Sequence, residues 1–92
     1  MVKISRKLKN KAIVSFYVDE ECDLVFLKGN WNNWEKVPLK KRKDGTYYTK
    51  IGIPYGEWEF GYECNGKWII EKDLEKKLSP FNSYNSVLKI RR

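Results

Sequence analysis

The sequence contains no histidine, and this absence excludes several common kinds of catalytic site. Without an imidazole there can be no Ser–His or Cys–His nucleophile pair, no histidine acid–base catalyst and no zinc site of mixed His and Cys ligands. Carboxylates are available, but Glu57, Glu59 and Glu63 alternate with apolar residues and are predicted to lie on the solvent face of one strand. The acidic run at 19–23 lacks the spaced oxygen ligands and the glycine of a calcium loop. We therefore expect no enzyme, no catalytic residues, no cofactor and no bound metal.

Long apolar runs are also absent. No stretch approaches the ~20 residues of a membrane span. The basic N-terminal segment is followed only by the short stretch 12–18, in which apolar and polar residues alternate, and no signal-peptide cleavage site follows. We therefore expect a cytoplasmic protein with no membrane partner. Cys22 and Cys64 could form one disulfide, although chains without an export signal more often keep their thiols reduced.

Positive charge is in excess, with a formal net charge of +7. Five basic residues lie in 1–11, four form the run at 40–43, and Lys89, Arg91 and Arg92 stand at the C-terminal end. This distribution predicts charge at both chain ends and in one loop, with no basic stripe through the body. The distribution therefore argues against nucleic acid as a partner, with binding through the basic termini as the remaining alternative.

Most of the chain reads as short strands separated by turns. Residues 12–18 and 57–64 alternate between apolar and polar side chains, as half-buried strands do. Asn65-Gly66 is a strong two-residue hairpin signal, the run at 19–22 reads as a polar hairpin connection, and 72–78 could form one or two helical turns. We predict an all-β fold, an antiparallel β-sandwich of about six to eight short strands over 12–92. Residues 1–11 would then be a flexible basic segment or an extra edge strand.

The aromatic residues exceed what one small core readily absorbs, with four Trp, six Tyr and four Phe. Trp34 ends the turn GNWNNW at 29–34, and Trp68 follows the Asn65-Gly66 turn. The apolar face of a sugar ring stacks on an indole, and asparagine amides can hydrogen-bond its hydroxyl groups. Tryptophans beside asparagine-rich turns therefore favour a carbohydrate-binding surface, with partial burial of both rings as the alternative.

Four short motifs occur in order along the chain, namely GNWNNW, IPYG, FGYECNGKW and SYNSVLKI. In this order and at these separations they resemble the family 48 carbohydrate-binding modules. That family includes the glycogen-binding domain of the AMP-activated protein kinase β subunit and the N-terminal domain of isoamylases. The resemblance covers 12–91 and implies an immunoglobulin-like, early-set β-sandwich. Its implied function is non-catalytic recognition of α-1,4-linked glucans such as glycogen, starch and maltooligosaccharides.

The resemblance also implies roles for individual residues. Trp34 and Trp68 match the two positions that stack on sugar rings, and Asn85 matches the asparagine that hydrogen-bonds the sugar. Phe81 and Ser83 fall in the preceding loop, which supplies apolar and hydroxyl contacts. The implied partners are an α-glucan and a separate glucan-metabolising enzyme or kinase-type subunit.

The chain departs from the family pattern at several positions. Gly61 stands where the kinase β subunits carry a sugar-contacting lysine, so that hydrogen bond is absent. Trp31 replaces a phenylalanine that faces the core, and Ser86 replaces the second asparagine of a pair. These departures keep an alternative open, in which the sandwich has lost sugar binding and serves as a protein-interaction or regulatory domain.

Overall fold

The computed structural model describes residues 1–92, which form an antiparallel β-sandwich of ten strands with one 3-10 helix at Asn30–Asn32. The strands are β1 (Val2–Ser5), β2 (Lys11–Val18), β3 (Val25–Gly29), β4 (Val37–Pro38), β5 (Lys40–Lys41), β6 (Tyr47–Pro54), β7 (Gly56–Cys64), β8 (Lys67–Ile69), β9 (Lys76–Leu78) and β10 (Tyr84–Ile90). The predicted all-β antiparallel sandwich is confirmed. The structure has ten strands where six to eight were expected, because β5 and β9 are edge pieces too short to show a periodic pattern and β1 lies in the basic segment 1–11.

The strands divide between two sheets, which we call sheet A and sheet B. Sheet A has the order β1-β2-β6-β5, and sheet B has the order β4-β3-β7-β10-β9, with β8 paired to β7. β1 lies at one edge of sheet A, where it pairs with β2 from Val2↔Phe16 to Ser5↔Ile13. No helix in the structure has the length and apolar character needed to span a membrane.

The core lies between the sheets and follows the alternation of the strands. In β2, every second residue from Ala12 to Val18 is buried, and in β7 Phe60 and Tyr62 are buried on the same plan. Phe16 meets the edges of two β7 rings, with centroid separations of 5.3 Å to Phe60 and 6.4 Å to Tyr62. Alternation therefore determines which face of each strand is buried.

The segment between β2 and β3 is not the predicted hairpin. These strands belong to different sheets, so the chain crosses from sheet A to sheet B over 19–24. In this crossing, Cys22 forms a disulfide with Cys64 at the end of β7, with Cα atoms 5.6 Å apart. The sequence left this pairing open, because general cysteine usage favoured reduced thiols without excluding a disulfide. The crossing brings the two residues within bonding geometry and decides the pairing in this structure.

The predicted helical turns at 72–78 are also wrong. Lys76–Leu78 forms β9 and pairs with β10 from Tyr84↔Leu78 to Ser86↔Lys76. A segment of this length gains little from isolated helix formation, because nucleation is unfavourable. Hydrogen bonding to the exposed edge of β10 therefore decides its conformation, and it extends sheet B by one strand.

Candidate functional site

The turn that carries Trp34 begins where β3 ends at Gly29. The backbone N–H of Trp34 donates to the Gly29 carbonyl at 2.9 Å and closes the turn. Asn33 and Trp34 have φ angles of 61° and 64°, in the left-handed region that bulky residues rarely adopt. Asn30 ties the turn to sheet B, because its Oδ1 accepts the Glu59 backbone N–H at 2.9 Å. The Trp34 side chain remains 36% exposed.

Trp31, in the same turn, points the opposite way. Its ring lies 5.9 Å from that of Phe16 and 6.0 Å from that of Phe60, measured between centroids, and it covers Gly29 so closely that a side chain there would overlap it. The prediction that Trp31 packs on the core is confirmed. Its Nε1–H is buried without a hydrogen-bond partner. The two tryptophans of GNWNNW thus lie on opposite sides of the turn.

Trp68 is positioned by the hairpin that joins β7 to β8. Asn65 and Gly66 have φ angles of 50° and 83°, which is the geometry the Asn-Gly pair predicts. Trp68 faces Glu63 across the ladder, and its indole lies over Gly61 on β7. The indole Nε1–H donates to the Tyr84 carbonyl at 2.8 Å, which fixes the ring orientation and leaves one ring face open.

Trp34 and Trp68 meet above the outer face of sheet B. Their ring centroids are 6.4 Å apart and their planes are inclined by 58°. Two residues separated in the sequence by the four strands β4 to β7 therefore form one bent aromatic surface.

Asn85 and the loop at 79–83 form the other side of this surface. The side chain of Asn85 lies on β10 and is only 7% exposed, and its Nδ2 donates to Glu59 Oε1 at 3.2 Å. Ser79 closes the loop, because its backbone N–H donates to the Ser83 carbonyl at 2.7 Å and the two hydroxyl groups lie 3.2 Å apart. Phe81 projects from this loop and is 90% exposed.

The five predicted site residues line one open groove of about 410 Å³. They are Trp34, Trp68, Phe81, Ser83 and Asn85, and the remaining lining residues are Lys28, Glu59, Ser79 and Pro80. Sequence reasoning missed Lys28 and Glu59. The available signal was their outward position in the alternating strands β3 and β7; we interpreted Glu59 as part of a solvated charged face and assigned Lys28 no role.

The groove combines aromatic rings with polar groups that have spare hydrogen-bonding capacity. Lys28 Nζ lies 3.5 Å from Glu63 Oε2, and Lys77 Nζ lies 3.8 Å from Glu59 Oε2. The Asn85 Oδ1 and the Phe81 ring have no intramolecular partner. Such a surface can stack against apolar ring faces and exchange hydrogen bonds with hydroxyl groups. No group of three His, Cys, Asp or Glu side chains is arranged to hold a metal ion.

Comparisons with known proteins identify the family to which the chain is similar. The family model described as the glycogen recognition site of AMP-activated protein kinase matches residues 13–92. The chain is similar to the 5'-AMP-activated protein kinase subunit beta-1 of Bos taurus, with 26% identity over 68 residues that cover 74% of this chain and 25% of the relative. It is also similar to the Sus scrofa beta-1 subunit, with 25% identity over 68 residues that cover 74% of this chain and 55% of the relative.

The chain spans between about a quarter and about half the length of these relatives. The family model, in contrast, matches nearly the whole chain, a span that includes every strand from β3 to β10. The chain therefore belongs to the family of the glycogen recognition site of AMP-activated protein kinase, which is a family of carbohydrate-binding modules.

Proposed function

We propose that the groove on sheet B binds α-1,4-linked glucans, with Trp34 and Trp68 stacking on glucose rings. The observation that carries this proposal is the gathering of both indoles, Asn85 and the loop at 79–83 around one open groove. Family membership supports a carbohydrate as the ligand class.

The inclination of the two indoles favours an α-linked glucan. An α-1,4 linkage curves the chain, so successive glucose rings present their apolar faces at an angle to one another. Two ring planes inclined by 58° suit such a chain better than a flat β-1,4-linked one. Stacking then supplies most of the contact area, and the position of each indole selects the curvature of the ligand.

Polar groups on the groove wall orient the sugar. Asn85 is held by Glu59 through one N–H and offers its Oδ1 to a sugar hydroxyl. Ser83 adds a hydroxyl group, and Phe81 adds an exposed ring that closes over the ligand from the loop side. Lys28 lies directly across from Gly61 and reaches the same groove. Its ammonium group can donate a hydrogen bond to a sugar hydroxyl.

A second part of the proposal concerns the assembly. The relatives are named as subunits of a kinase, and we propose that this chain likewise acts beside a kinase-type subunit or a glucan-metabolising enzyme, in the cytoplasm and without catalysing a reaction itself. The glucan-binding groove does not depend on such a partner, because a single chain supplies every residue that lines it.

The test is a titration with maltoheptaose, followed by the chemical shifts of the indole N–H groups. We expect Trp34→Ala and Trp68→Ala each to weaken binding by about tenfold or more, which corresponds to ~1.4 kcal/mol. Trp58→Phe is the matched control, since Trp58 lies outside the groove and its indole is bonded to the Pro54 carbonyl. A β-1,4-linked oligosaccharide serves as the ligand control. Undiminished maltoheptaose binding by both alanine variants would refute the proposed surface.

A further inference from the structure

The strands of sheet A present positive charge and no negative charge on their outward face, and the acidic residue Asp44 lies in the loop after β5, near Arg42. The four strands contain no Asp or Glu. The register places outward-facing cations next to one another on β1, β2, β5 and β6, and the loop after β5 adds one more. These cations are Lys3, Lys11, Lys40, Lys50 and, in the loop, Arg42. None of them takes part in a salt bridge.

Two tyrosines stand at the centre of this face. Tyr17 and Tyr48 are cross-strand partners on the two central strands, with ring centroids 5.2 Å apart and planes inclined by 40°. The Arg42 guanidinium lies 5.5 Å from the Tyr17 centroid and 5.9 Å from the Tyr48 centroid, and Lys3 Nζ lies 5.6 Å from the Tyr17 centroid. Both rings are half-buried, and neither hydroxyl group has an intramolecular hydrogen bond. We call this surface the basic tyrosine face.

The basic tyrosine face corrects the expectation that no basic stripe runs through the body. Lys3 comes from the N-terminal segment and Arg42 from the basic loop, and the pairing of β1 with β2 and of β5 with β6 brings both beside Tyr17. The outer face of sheet B instead carries Glu59 and Glu63. On sheet B, Lys28 and Lys77 form ion pairs with Glu63 and Glu59, whereas the cations on sheet A have no acidic partner, a difference that the order of residues along the chain does not reveal.

We propose that the basic tyrosine face binds single-stranded nucleic acid, with Tyr17 and Tyr48 stacking on bases and the surrounding cations contacting phosphates. Aromatic side chains interleaved with Lys and Arg on an open sheet are the combination that single-strand binding uses. An acidic protein segment fits less well. Acidic side chains would meet the cations but would leave the two tyrosine rings without a stacking partner, whereas each nucleotide offers a base and a phosphate together.

The experiment measures the anisotropy of a short labelled oligouridine as the full chain is added, over a series of salt concentrations. For single strands, each phosphate contact contributes about −0.7 to the slope of log affinity against log salt. We expect Arg42→Glu with Lys50→Glu to weaken binding at least ~10-fold and to reduce the slope by about 1.4. The charge-matched control is Lys67→Glu with Lys72→Glu, which changes basic residues outside sheet A and is expected to keep most of the affinity.

Stacking is tested separately with Tyr48→Ala and Tyr48→Phe. The alanine variant is expected to lose affinity and the phenylalanine variant to keep it, because the ring and not the hydroxyl group makes the contact. An unchanged far-ultraviolet circular dichroism spectrum and melting temperature show that each variant is folded. The proposal is overturned if the chain does not bind oligouridine at low salt, if both charge-reversed pairs lose affinity equally, or if polyglutamate of equal charge binds as tightly. The last result would assign the face to an acidic protein segment.

Discussion

The indole of Trp68 occupies the space that a side chain on Gly61 would fill. Gly61 lies on β7 directly across from Lys28 on β3, at the centre of the outer face of sheet B. A Cβ atom at this position would overlap the ring, so β7 cannot carry a side chain here while Trp68 stays in place. The glycine at position 61, which departs from the family pattern, and the orientation of the Trp68 ring therefore depend on each other.

Gly61→Ala should consequently weaken glucan binding even though alanine adds only one carbon. We expect the displaced Trp68 to lower maltoheptaose affinity by about tenfold, or ~1.4 kcal/mol, measured by isothermal titration. Gly52→Ala is the control, because a Cβ at position 52 on sheet A meets only the flexible side chain of Lys11. Equal affinities of the Gly61 variant and the wild type would show that the ring position does not matter.

Trp31→Phe should be nearly neutral for stability. The substitution removes part of the packing against Phe16 and Phe60, but it also removes the buried Nε1–H that has no partner. An unsatisfied buried donor costs about 1–3 kcal/mol, which offsets the smaller ring. We expect the free energy of unfolding in urea to change by less than ~1 kcal/mol. Trp31→Ala, which leaves a cavity, should cost about 3 kcal/mol. Equal losses in both variants would contradict the role assigned to the indole N–H.

Reduction of the Cys22–Cys64 disulfide should lower stability without altering the glucan groove. The bond closes a loop with a sequence separation of 42 residues, for which the chain-entropy model gives about 4 kcal/mol. We expect a thiol reductant to lower the melting temperature by many degrees. Below that temperature, the reduced chain should bind maltoheptaose with unchanged affinity. Cys22→Ala with Cys64→Ala should reproduce the reduced protein. A free-thiol assay on freshly purified chain shows which state the producing cell maintains.

Tyr62 should make stability depend on pH in the alkaline range. Burial raises the pKa of the Tyr62 phenol far above its usual value, and the nearby Glu71 carboxylate, whose Oε1 accepts the phenol hydrogen at 3.0 Å, raises this pKa further. In the unfolded chain a tyrosine ionises near pH 10. The contribution of Tyr62 to stability is therefore complete below about pH 10 and is lost as the pH rises above it, since the unfolded state alone releases the proton.

The measurement is urea unfolding of the wild type and of Tyr62→Phe between about pH 9 and pH 11. We expect the free energy of unfolding to fall more steeply with pH in the wild type. Absorbance of phenolate in the folded protein should show that Tyr62 does not ionise before the chain unfolds. Parallel pH dependences of the two proteins would mean that Tyr62 titrates in the folded state.

The parts of the fold that depend on neighbouring residues could be predicted from the sequence. Alternation identified the buried faces of β2 and β7, and the left-handed preference of Asn65-Gly66 identified its hairpin. The candidate site could be predicted because its residues recur in a known order, and the structure brings all five to one groove.

The predictions that failed concern segments whose structure depends on pairing with distant parts of the chain. Nothing in the acidic run at 19–22 indicates that β2 and β3 join different sheets, and β9 exists only because β10 offers it an edge. The role of Glu59 was missed for the same reason, since its contact with Asn85 joins two strands of sheet B. The basic tyrosine face likewise could not be predicted, because it forms only through the pairing of β1 with β2 and of β5 with β6.

The backbone of Trp34 adopts a left-handed conformation. A φ of 64° suits glycine or asparagine, whereas a left-handed conformation costs a bulky residue about 1–2 kcal/mol. The ring is only 36% exposed and packs on Trp68, so its burial offsets this cost. The strained backbone of the turn is therefore retained by the side chain that it presents. A glycine at this position would relax the backbone and lose that packing.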